Sequence, residues 1–550
     1  MIRSILNRLN NQTTLLFFIL ILAAVLRFYG IHFGEPFKYH PDEVKLVTQA
    51  GQLLDSRFMD KEVFFAFGVY PIFYTLILTA LMAGYILVAL LTGRFESLEY
   101  ARIFYEQNSF MFVLLGRYFV ACLGIISVYM LYRILRELYD NKTALIGALL
   151  LAVNFVHVRN SHFSTVDVPV TFCVLLAFYF TIRIMQRPGK KNYFLAGFFI
   201  AAAVATKYSA FLIVLPFAFV HLYMIIKSGP GIRHVVNKNL LIAKVTAIVT
   251  FLLFCPLFLL NFRTTINGFL RVQSFEKVGK IGSGGGFLSY WTGDQSPGFG
   301  VFYPNSIPAT LGYVLMAFII IGLVLMVIRH RKEDLAILLF TLPTYFFFED
   351  MSYKAMRHIL PLMPFFSAAA ALAIIWFCEK LFKKQPAQTA AIAGIVLGFV
   401  IAGSGGSLRY MNRLNDPDPR TLALHWVEQN LPTGSKVAVE SFPPYLPGLF
   451  NPDSLKPGDY RIVETNLNDK VTHVADSLVN SLRQDSVYYY IADGFTRHFF
   501  SWKYTKKRYP EIAADRENLF RWLENNADLL ADFRPEDENI QPFIMIYKIK

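Results

Sequence analysis

Over its first 408 residues the chain alternates long apolar stretches with short polar turns. Twelve stretches are long enough to cross a bilayer and predict a polytopic α-helical membrane protein. They lie near residues 13–33, 69–92, 110–135, 143–160, 167–185, 193–206, 210–226, 241–260, 307–328, 334–348, 357–378 and 388–406. After residue 408 short helix and strand patterns alternate, which predicts two domains: a transmembrane domain at 1–408 and a soluble α/β domain at 409–550.

Basic clusters between the apolar runs predict the orientation, since such clusters usually face the cytoplasm. They lie at 133–142, 183–191, 227–244, 329–332 and 380–384. All five clusters lie on the cytoplasmic side if the N terminus is cytoplasmic and the run at 69–92 does not cross the membrane. Eleven crossings of the inner or plasma membrane are therefore predicted, with twelve as the alternative. The outer face then receives the C-terminal domain and the loops 34–68, 159–167, 207–209, 261–306 and 349–357.

Composition agrees with a membrane protein. Only 17% of residues are charged, against about 25% in soluble domains. Residues 409–550 hold 18 basic and 20 acidic residues, so the net charge of +14 comes from the apolar part. Because that charge lies between apolar runs, it favours membrane topology over nucleic-acid binding. The four cysteines lie in apolar runs and predict no disulfide framework.

Two acidic motifs lie in the predicted outer loops. His40-Pro41-Asp42-Glu43 follows the first helix, and Asp167 ends a tight turn, Arg159 to Val166, between two helices. Carboxylates at a membrane boundary are costly to desolvate and often functional. The alternative is a simple helix start, where the dipole favours acidic groups. Both motifs predict catalytic carboxylates: Asp42, Glu43 and Asp167.

Cations occur at the same outer boundary, against the usual charge bias. Lys207 precedes Tyr208 in a short turn, and Arg117 lies about two turns inside a crossing. Another crossing opens with Lys354, Arg357 and His358. Each of these cations alone is typical of a long side chain that extends its charged end to the membrane–water interface. Together they predict an anion site for a phosphate group, with Tyr208 as a supporting residue.

Carboxylates beside phosphate-binding cations suit the transfer of a sugar from a polyprenyl-phosphate donor to a hydroxyl. A carboxylate, Asp42, accepts the proton of the attacking hydroxyl. Lys207, Arg357 and Arg117 stabilise the charge that grows on the departing phosphate. The acceptor is a glycan, a lipid or a protein; membrane lipids surround the chain, and no nucleic acid is expected.

The ordered motifs resemble those of the lipid-carrier-dependent GT-C glycosyltransferases, which include protein O-mannosyltransferases and the aminoarabinose transferases of lipid A. The resemblance spans roughly residues 13–370 and rests on the Asp42-Glu43 loop, His162–Pro169, Ala205–Tyr208 and Arg357–Pro364. It implies an inverting transferase with Asp42 as base and membrane-parallel helices in the first outer loop.

At two motifs the sequence of this chain differs from the pattern of that family. Aminoarabinose transferases have a lysine before a proline pair in the first outer loop, where this chain reads Ala66-Phe67-Gly68-Val69-Tyr70-Pro71. Family members often have Arg-Tyr where this chain has Arg357-His358, so His358 is either a phosphate ligand or a neutral substitute.

A divalent metal is a second interpretation of the acidic motifs. His40, Asp42, His162 and Asp167 form a workable set of ligands, but tight metal-ligand spacing is missing. The histidines otherwise serve as supporting, hydrogen-bonded groups. No cofactor is predicted with certainty.

The remaining segments carry less chemistry. Loop 261–306 contains Gly282–Gly286 and suits either a lid or a plain linker, since no P-loop lysine follows. In the C-terminal domain we expect helices at 419–430, 471–483 and 515–530 and strands at 436–440, 486–492 and 543–549. This domain is expected to shape acceptor access or contact a partner.

Three other functions remain open on the sequence. An oligosaccharyltransferase moves a whole glycan from a pyrophosphate lipid. A transporter is expected to show internal repeats and charges near the midplane, whereas here the charges gather at one face. An assembly scaffold leaves the paired acidic and basic motifs without a role.

Overall fold

The computed structural model describes residues 11–54, 71–228, 238–263, 265–267, 302–350, 355–440, 461–465, 488–493, 510–535 and 543–550. Each of the twelve apolar runs contains helix, as predicted. The helices of the membrane part are α1 (Asn11–Phe28), α2 (Pro41–Leu54), α3 (Phe73–Leu91), α4 (Leu98–Gln107), α5 (Ser109–Leu138), α6 (Asn141–Ala152), α7 (Phe155–Asn160), α8 (Asp167–Gln186), α9 (Lys190–Thr206), α10 (Val214–Ser228), α11 (Lys238–Phe254), α12 (Leu257–Leu260), α13 (Phe302–Leu311), α14 (Tyr313–Arg329), α15 (Lys332–Asp350), α16 (Met363–Leu381) and α17 (Gln385–Asn415). Short 3₁₀ segments at Tyr208–Ile213 and Leu360–Leu362 lead into α10 and α16.

The chain is a multi-pass membrane protein of the predicted class. Within the described ranges, six helical segments are long and apolar enough to cross a membrane, and they include α3, α5 and α8. Helix α16 is the most enclosed of them, whereas most of α17 is exposed, so α16 forms the centre of the bundle and α17 its edge.

Small residues allow the central helices to approach closely. A Cβ atom at Gly322 of α14 would lie 2.0 Å from the carbonyl oxygen of Ala369 in α16. At Gly197 of α9 it would lie 2.3 Å from the carbonyl oxygen of Ala243 in α11. Such backbone-to-backbone packing is how helices associate where lipid removes the hydrophobic driving force.

Helix α3, the run expected not to cross, has contacts near the predicted outer face at both ends. Tyr74 in its first turn shares a hydrogen bond of 3.0 Å with Ser164 of the turn before α8. Eleven residues later, the ring of Tyr85 lies 5.7 Å from that of Phe112 in the first turn of α5 and 6.5 Å from that of Phe104 in α4. Its length and apolarity also suit a crossing, so the path of α3 remains a prediction.

The C-terminal domain consists of a β-sheet with both parallel and antiparallel strands, which lies between two helices. Its elements are α18 (Pro419–Asn430), β1 (Lys436–Glu440), β2 (Arg461–Thr465), β3 (Tyr489–Asp493), α19 (Pro510–Asn526), β4 (Ala527–Phe533) and β5 (Ile544–Ile549). The strand order is β2-β1-β3-β5-β4, with β1 parallel to β2 and β3, and β5 antiparallel to β3 and β4. Alternate residues point to opposite faces: Val437 and Val439 pack against α18, whereas Ala438 packs in the cluster of α19.

The expected elements of this domain are confirmed with two differences. The helix predicted at 515–530 ends at Asn526, because residues from Ala527 onward pair with β5 as an edge strand. Strand β2 was not expected from the sequence. The helix predicted at 471–483 lies outside the described residues, as does most of loop 261–306 with its glycine run. Helix α17 continues through the domain boundary expected at residue 408.

Candidate active site

Each of the three carboxylates singled out from the sequence contacts one of the singled-out cations. Asp42 pairs with Arg357, Glu43 with Arg117, and Asp167 with Lys207. The partners are 315, 74 and 40 residues apart in the chain. The fold thus gathers residues from the first turn of α2, from α5, from the start of α8, from the turn after α9 and from the segment before the 3₁₀ turn that leads into α16. The predicted meeting of acidic and basic motifs is present, but as three separate pairs.

Glu43 and Arg117 form a fully buried pair. The Nε and Nη2 atoms of Arg117 each donate a hydrogen bond of 2.8 Å to the carboxylate. Its Nη1 atom donates to the carbonyl oxygens of Ile31 and Phe33, both at 2.9 Å. The backbone N–H of Ser164 donates to Glu43 at 2.7 Å. The pair therefore ties α2, α5, the end of the α1 segment and the turn before α8 together.

This burial differs from the roles expected for both residues. Arg117 is 0% exposed, and its donors are directed at Glu43 and two carbonyl groups, so a phosphate at the surface has no access to it. Glu43 accepts three hydrogen bonds and faces no open space. Both residues hold the site together here, and neither lies where donor or acceptor can reach it.

Asp42 and Arg357 lie beside this pair but reach the surface. Pro41 opens α2, which places Asp42 in the first turn, where the helix dipole favours a carboxylate. Arg357 donates a hydrogen bond of 2.9 Å to Asp42, and both side chains are about one quarter exposed. Burial raises the pKa of Asp42, but the interactions with Arg357, His40, Lys45 and Lys207 together outweigh it and hold this pKa below its usual value. Asp42 is thus ionised and accessible.

The third pair, Asp167 with Lys207, is more enclosed: the side chain of Lys207 is 17% exposed and that of Asp167 only 5%. Asp167 is the first residue of α8, and Lys207 lies between α9 and the following 3₁₀ segment. The ammonium group of Lys207 donates a hydrogen bond of 2.8 Å to Asp167. Because the charge of Lys207 also lowers the pKa of Asp42, the two pairs act on each other electrostatically.

The expected metal ligands do not converge. In the described part of the chain, no group of three or more His, Cys, Asp and Glu residues is placed to hold a metal ion. The ring nitrogens of His162 lie 2.9 Å from the carbonyl oxygen of Val158 and 3.0 Å from that of Tyr29. His162 therefore braces the outer turn against the end of α1, as the alternative interpretation proposed. The ring of His40 lies 4.4 Å from that of Phe163.

Two further expected residues, His358 and Tyr208, directly follow the paired cations Arg357 and Lys207 in the sequence. His358 is buried, and its ring lies 5.7 Å from that of Phe348. This packing suits a structural residue better than the expected phosphate ligand. Tyr208 opens the 3₁₀ segment next to Lys207, with its ring 6.3 Å from that of Phe258. Lys354 lies outside the described residues.

Two residues near the site were missed on the sequence. Lys45 follows Asp42 by one turn of α2, and the two interact electrostatically; the i, i+3 spacing was the signal. Arg27 is buried at the end of α1 and donates to the carbonyl oxygens of Ala152 and Leu151 and to Nδ1 of His157. The carbonyl groups at the end of α6 thus offset its charge. A lone arginine within an apolar run was the signal.

Comparison with known proteins supports the resemblance stated on the sequence. Residues 102–259 match the family described as dolichyl-phosphate-mannose-protein mannosyltransferase. An uncharacterized protein of Aquifex aeolicus is 24% identical over 273 residues, which cover 49% of this chain and 50% of that protein. The chain thus spans about half the length of this curated relative.

Solved structures confirm the fold over nearly the whole chain. ArnT from Cupriavidus metallidurans, solved with undecaprenyl phosphate, matches with a TM-score of 0.51 at 13% identity, covering 98% of both chains. The archaeal oligosaccharyltransferase AglB from Archaeoglobus fulgidus, solved with an inhibitory peptide and a dolichol-phosphate, matches with a TM-score of 0.52 at 12% identity. That match covers 94% of this chain and 73% of AglB.

Proposed function

We propose that this chain, which has the fold of the GT-C glycosyltransferases, transfers a single sugar from a polyprenyl-phosphate donor to an acceptor hydroxyl on the extracytoplasmic side. The observation that carries the proposal is the pairing of two carboxylates with two partly exposed cations, Asp42 with Arg357 and Asp167 with Lys207. Sugar transfer from a phosphate needs both kinds of group at one place.

Asp42 is the proposed base. It takes the proton of the acceptor hydroxyl while the oxygen forms a bond to the anomeric carbon and the bond from that carbon to the phosphate oxygen breaks. Attack opposite the leaving phosphate inverts the anomeric carbon. A base positioned in this way is typically worth ~10²–10⁴-fold in rate.

Arg357 and Lys207 are the proposed phosphate ligands. The phosphate has one negative charge while it links sugar and lipid, and it gains a second as the sugar leaves. Cations that contact it therefore stabilise the transition state more than the ground state. When the donor binds, its phosphate replaces Asp42 and Asp167 as the partner of these cations. Asp42 is then free to act as the base, and Asp167 is free to position the sugar or the acceptor.

Arg117 and Glu43 are proposed to hold this arrangement and not to contact substrate. Lys45, one turn after Asp42 in α2, adds positive charge next to Asp42. We assign no step to a metal ion, since His162, one of the four expected ligands, is directed at backbone carbonyl groups.

Transfer of a whole glycan from a pyrophosphate lipid is the second candidate. The fold match to AglB, with a TM-score of 0.52 over 94% of this chain, favours it. A pyrophosphate brings an additional negative charge, which suits a larger set of cations than Arg357 and Lys207 provide. We therefore prefer the single-phosphate donor.

A purified assay separates the two candidates. The protein in lipid nanodiscs is incubated with a polyprenyl-phosphate hexose or with a polyprenyl-pyrophosphate oligosaccharide, together with glycan, lipid and peptide acceptors, and products are measured by mass spectrometry. We expect one added hexose from the first donor only, and no product with Asp42→Asn, which keeps the side-chain shape but cannot accept the proton. Near-wild-type turnover by Asp42→Asn, or transfer from the pyrophosphate donor alone, would contradict the proposal.

A further inference from the structure

The loop that leads into α2 lies against the C-terminal domain. Phe37 packs on the apolar cluster that α18 forms with strands β1, β3 and β5. Two residues later, Tyr39 is only 6% exposed. Residues directly before the proposed base are therefore enclosed by a domain that lies some 380 positions further along the chain.

Tyr39 has two specific contacts in that domain. The guanidinium carbon of Arg420 lies 3.8 Å from the centre of the Tyr39 ring, which is close for a cation–π interaction. The hydroxyl group of Tyr39 shares a short hydrogen bond with the hydroxyl of Thr421. Both partners come from the first turn of α18.

Arg420 is itself held in place. Asp418 caps α18 by accepting a hydrogen bond of 2.9 Å from the backbone N–H of Arg420. The same carboxylate accepts hydrogen bonds from Nε and Nη2 of Arg420 at 2.7 and 2.6 Å. Asp418 and Arg420 are 8% and 6% exposed, so the cation that faces Tyr39 has little freedom to move.

Only His40 and Pro41 separate Tyr39 from Asp42. The carbonyl oxygen of His40 accepts the first hydrogen bond of α2, from Val44 at 3.2 Å, and the ring of Pro41 restricts the backbone. The position of Tyr39 therefore determines where the first turn of α2 begins. Glu43 anchors the same turn to the membrane bundle through Arg117, so Asp42 lies between one anchor in each domain.

We infer that the C-terminal domain is part of the catalytic unit and that Tyr39 and Arg420 are positioning residues, which set the location of Asp42 through the contact between α18 and the acidic loop. This inference rests on the proposed function for the role of Asp42. The contact itself does not involve donor or acceptor. Its loss is expected to slow the chemical step and to leave donor affinity unchanged.

Tyr39→Leu and Arg420→Ala test the inference from the two sides of the contact. Because misplacing a catalytic group by about 1 Å can cost ~10²-fold, we expect kcat to fall about 10- to 100-fold in each, with an unchanged KM for the donor. Tyr39→Phe keeps the ring and is expected to stay close to wild type. Arg420→Lys keeps a cation and is expected to recover part of the loss. Thermal unfolding of Tyr39→Leu and Arg420→Ala is measured alongside, so that turnover is compared per folded molecule.

A matched control lies in the same domain. Arg534 also pairs with an acidic residue two positions earlier, Asp532, and lies 4.9 Å from the centre of an aromatic ring, that of Phe543. Arg534→Ala is expected to turn over like wild type. Wild-type kcat in both Tyr39→Leu and Arg420→Ala, or an equal loss in Arg534→Ala, would overturn the inference.

Hydrogen–deuterium exchange provides a readout that does not depend on substrate. The amides of residues 42–46 are expected to exchange faster in Tyr39→Leu and Arg420→Ala than in wild type, and at the wild-type rate in Arg534→Ala. Unchanged exchange in all three would overturn the inference even if the donor proves to be different. Failure of the proposed function appears separately, as a wild-type protein that does not use phosphate-linked sugars.

Discussion

Arg357 donates a hydrogen bond of 2.9 Å to Asp42, so the proposed phosphate ligand and the proposed base are paired before any donor binds. The pairing keeps Asp42 ionised and holds its pKa below the usual value. A carboxylate with a low pKa is a weak base. Once a phosphate shares the charge of Arg357, the pKa of Asp42 is expected to rise, because a nearby positive charge no longer favours the ionised form as strongly. Donor binding thus prepares the base.

The first prediction concerns the phosphate ligands. Arg357→Ala and Lys207→Ala are expected to weaken donor binding and also to slow transfer, because each cation contacts a group whose charge grows during the reaction. Arg357→Lys is expected to remain impaired, since an ammonium group does not reproduce the planar guanidinium fork. The measurement is a donor titration with a synthetic polyprenyl-phosphate sugar at saturating acceptor.

An exposed cation on α4 provides the control for that titration. Arg102 forms surface pairs with Glu99 and Glu106, and Arg102→Ala is expected to leave donor affinity and turnover unchanged. Wild-type donor affinity and turnover in both Arg357→Ala and Lys207→Ala would remove these two residues from the phosphate site.

The second prediction concerns the buried pair. Glu43→Gln leaves the charge of Arg117 buried without its counter-ion, and breaking such a pair typically costs about 3–5 kcal/mol. We expect a large drop in the thermal unfolding midpoint, with less loss of turnover per folded molecule than in Asp42→Asn. Glu106→Gln, which removes an exposed partner of Arg102, is expected to cost at most about 0.5 kcal/mol. Equal unfolding midpoints for Glu43→Gln and Glu106→Gln would show that the pair does not stabilise the fold.

The membrane helices were predictable because burial in lipid requires long apolar runs, a local property of the sequence. Which cation meets which carboxylate was not predictable. Arg117 was expected to bind phosphate because it lies near the outer boundary, but its partners, Glu43 and the carbonyl groups of Ile31 and Phe33, come from an earlier segment that folds over it. Contacts of this kind depend on tertiary structure and leave no trace in local spacing.

The same limit applies to the C-terminal domain. The helix ending at Asn526 passes directly into the strand beginning at Ala527, and the strand exists because β5 pairs with it. The contact between Tyr39 and Arg420 likewise joins residues that nothing in the sequence connects. In contrast, Asp418-Pro419 predicted the start of α18 correctly, because capping is a local interaction.

The third prediction concerns pH. Burial lowers the pKa of His162 from 6.5 to about 4, so above pH 6.5 the residue is neutral in both the folded and the unfolded state. As pH falls from 6.5 towards 4, the unfolded state binds a proton that the folded state does not, and stability is lost. The shift corresponds to roughly 3 kcal/mol. We expect the unfolding midpoint to fall less steeply over this range in His162→Gln.

Exposed His32, which pairs with Glu35 at the surface, provides the control. His32→Gln is expected to leave the unfolding midpoint at neutral pH close to that of wild type. Parallel curves for wild type and His162→Gln would show that His162 does not remain neutral in the folded protein.

The last prediction concerns the path of α3. The hydrogen bond between Tyr74 and Ser164 places the start of α3 beside the turn before α8. That turn also contacts α5 at Gly116, where an added Cβ atom would lie 2.1 Å from the Ser164 hydroxyl. Tyr85 then contacts Phe112, one turn before Gly116. Since α5 is predicted to run inward from the outer face, we expect α3 to run towards or along that face without crossing the membrane.

Cysteine labelling tests this path. Glu35→Cys and Glu99→Cys, both at exposed positions, flank α2 and α3 and are introduced singly into a chain whose four native cysteines are replaced. An impermeant maleimide added to intact cells is expected to label both. Lys142→Cys, in the basic cluster predicted to lie inside, is expected to react only after permeabilisation. Labelling of Glu35→Cys and Glu99→Cys from opposite faces would establish a twelfth crossing and contradict the charge-based orientation, along with the predicted shared face of Asp42 and Asp167.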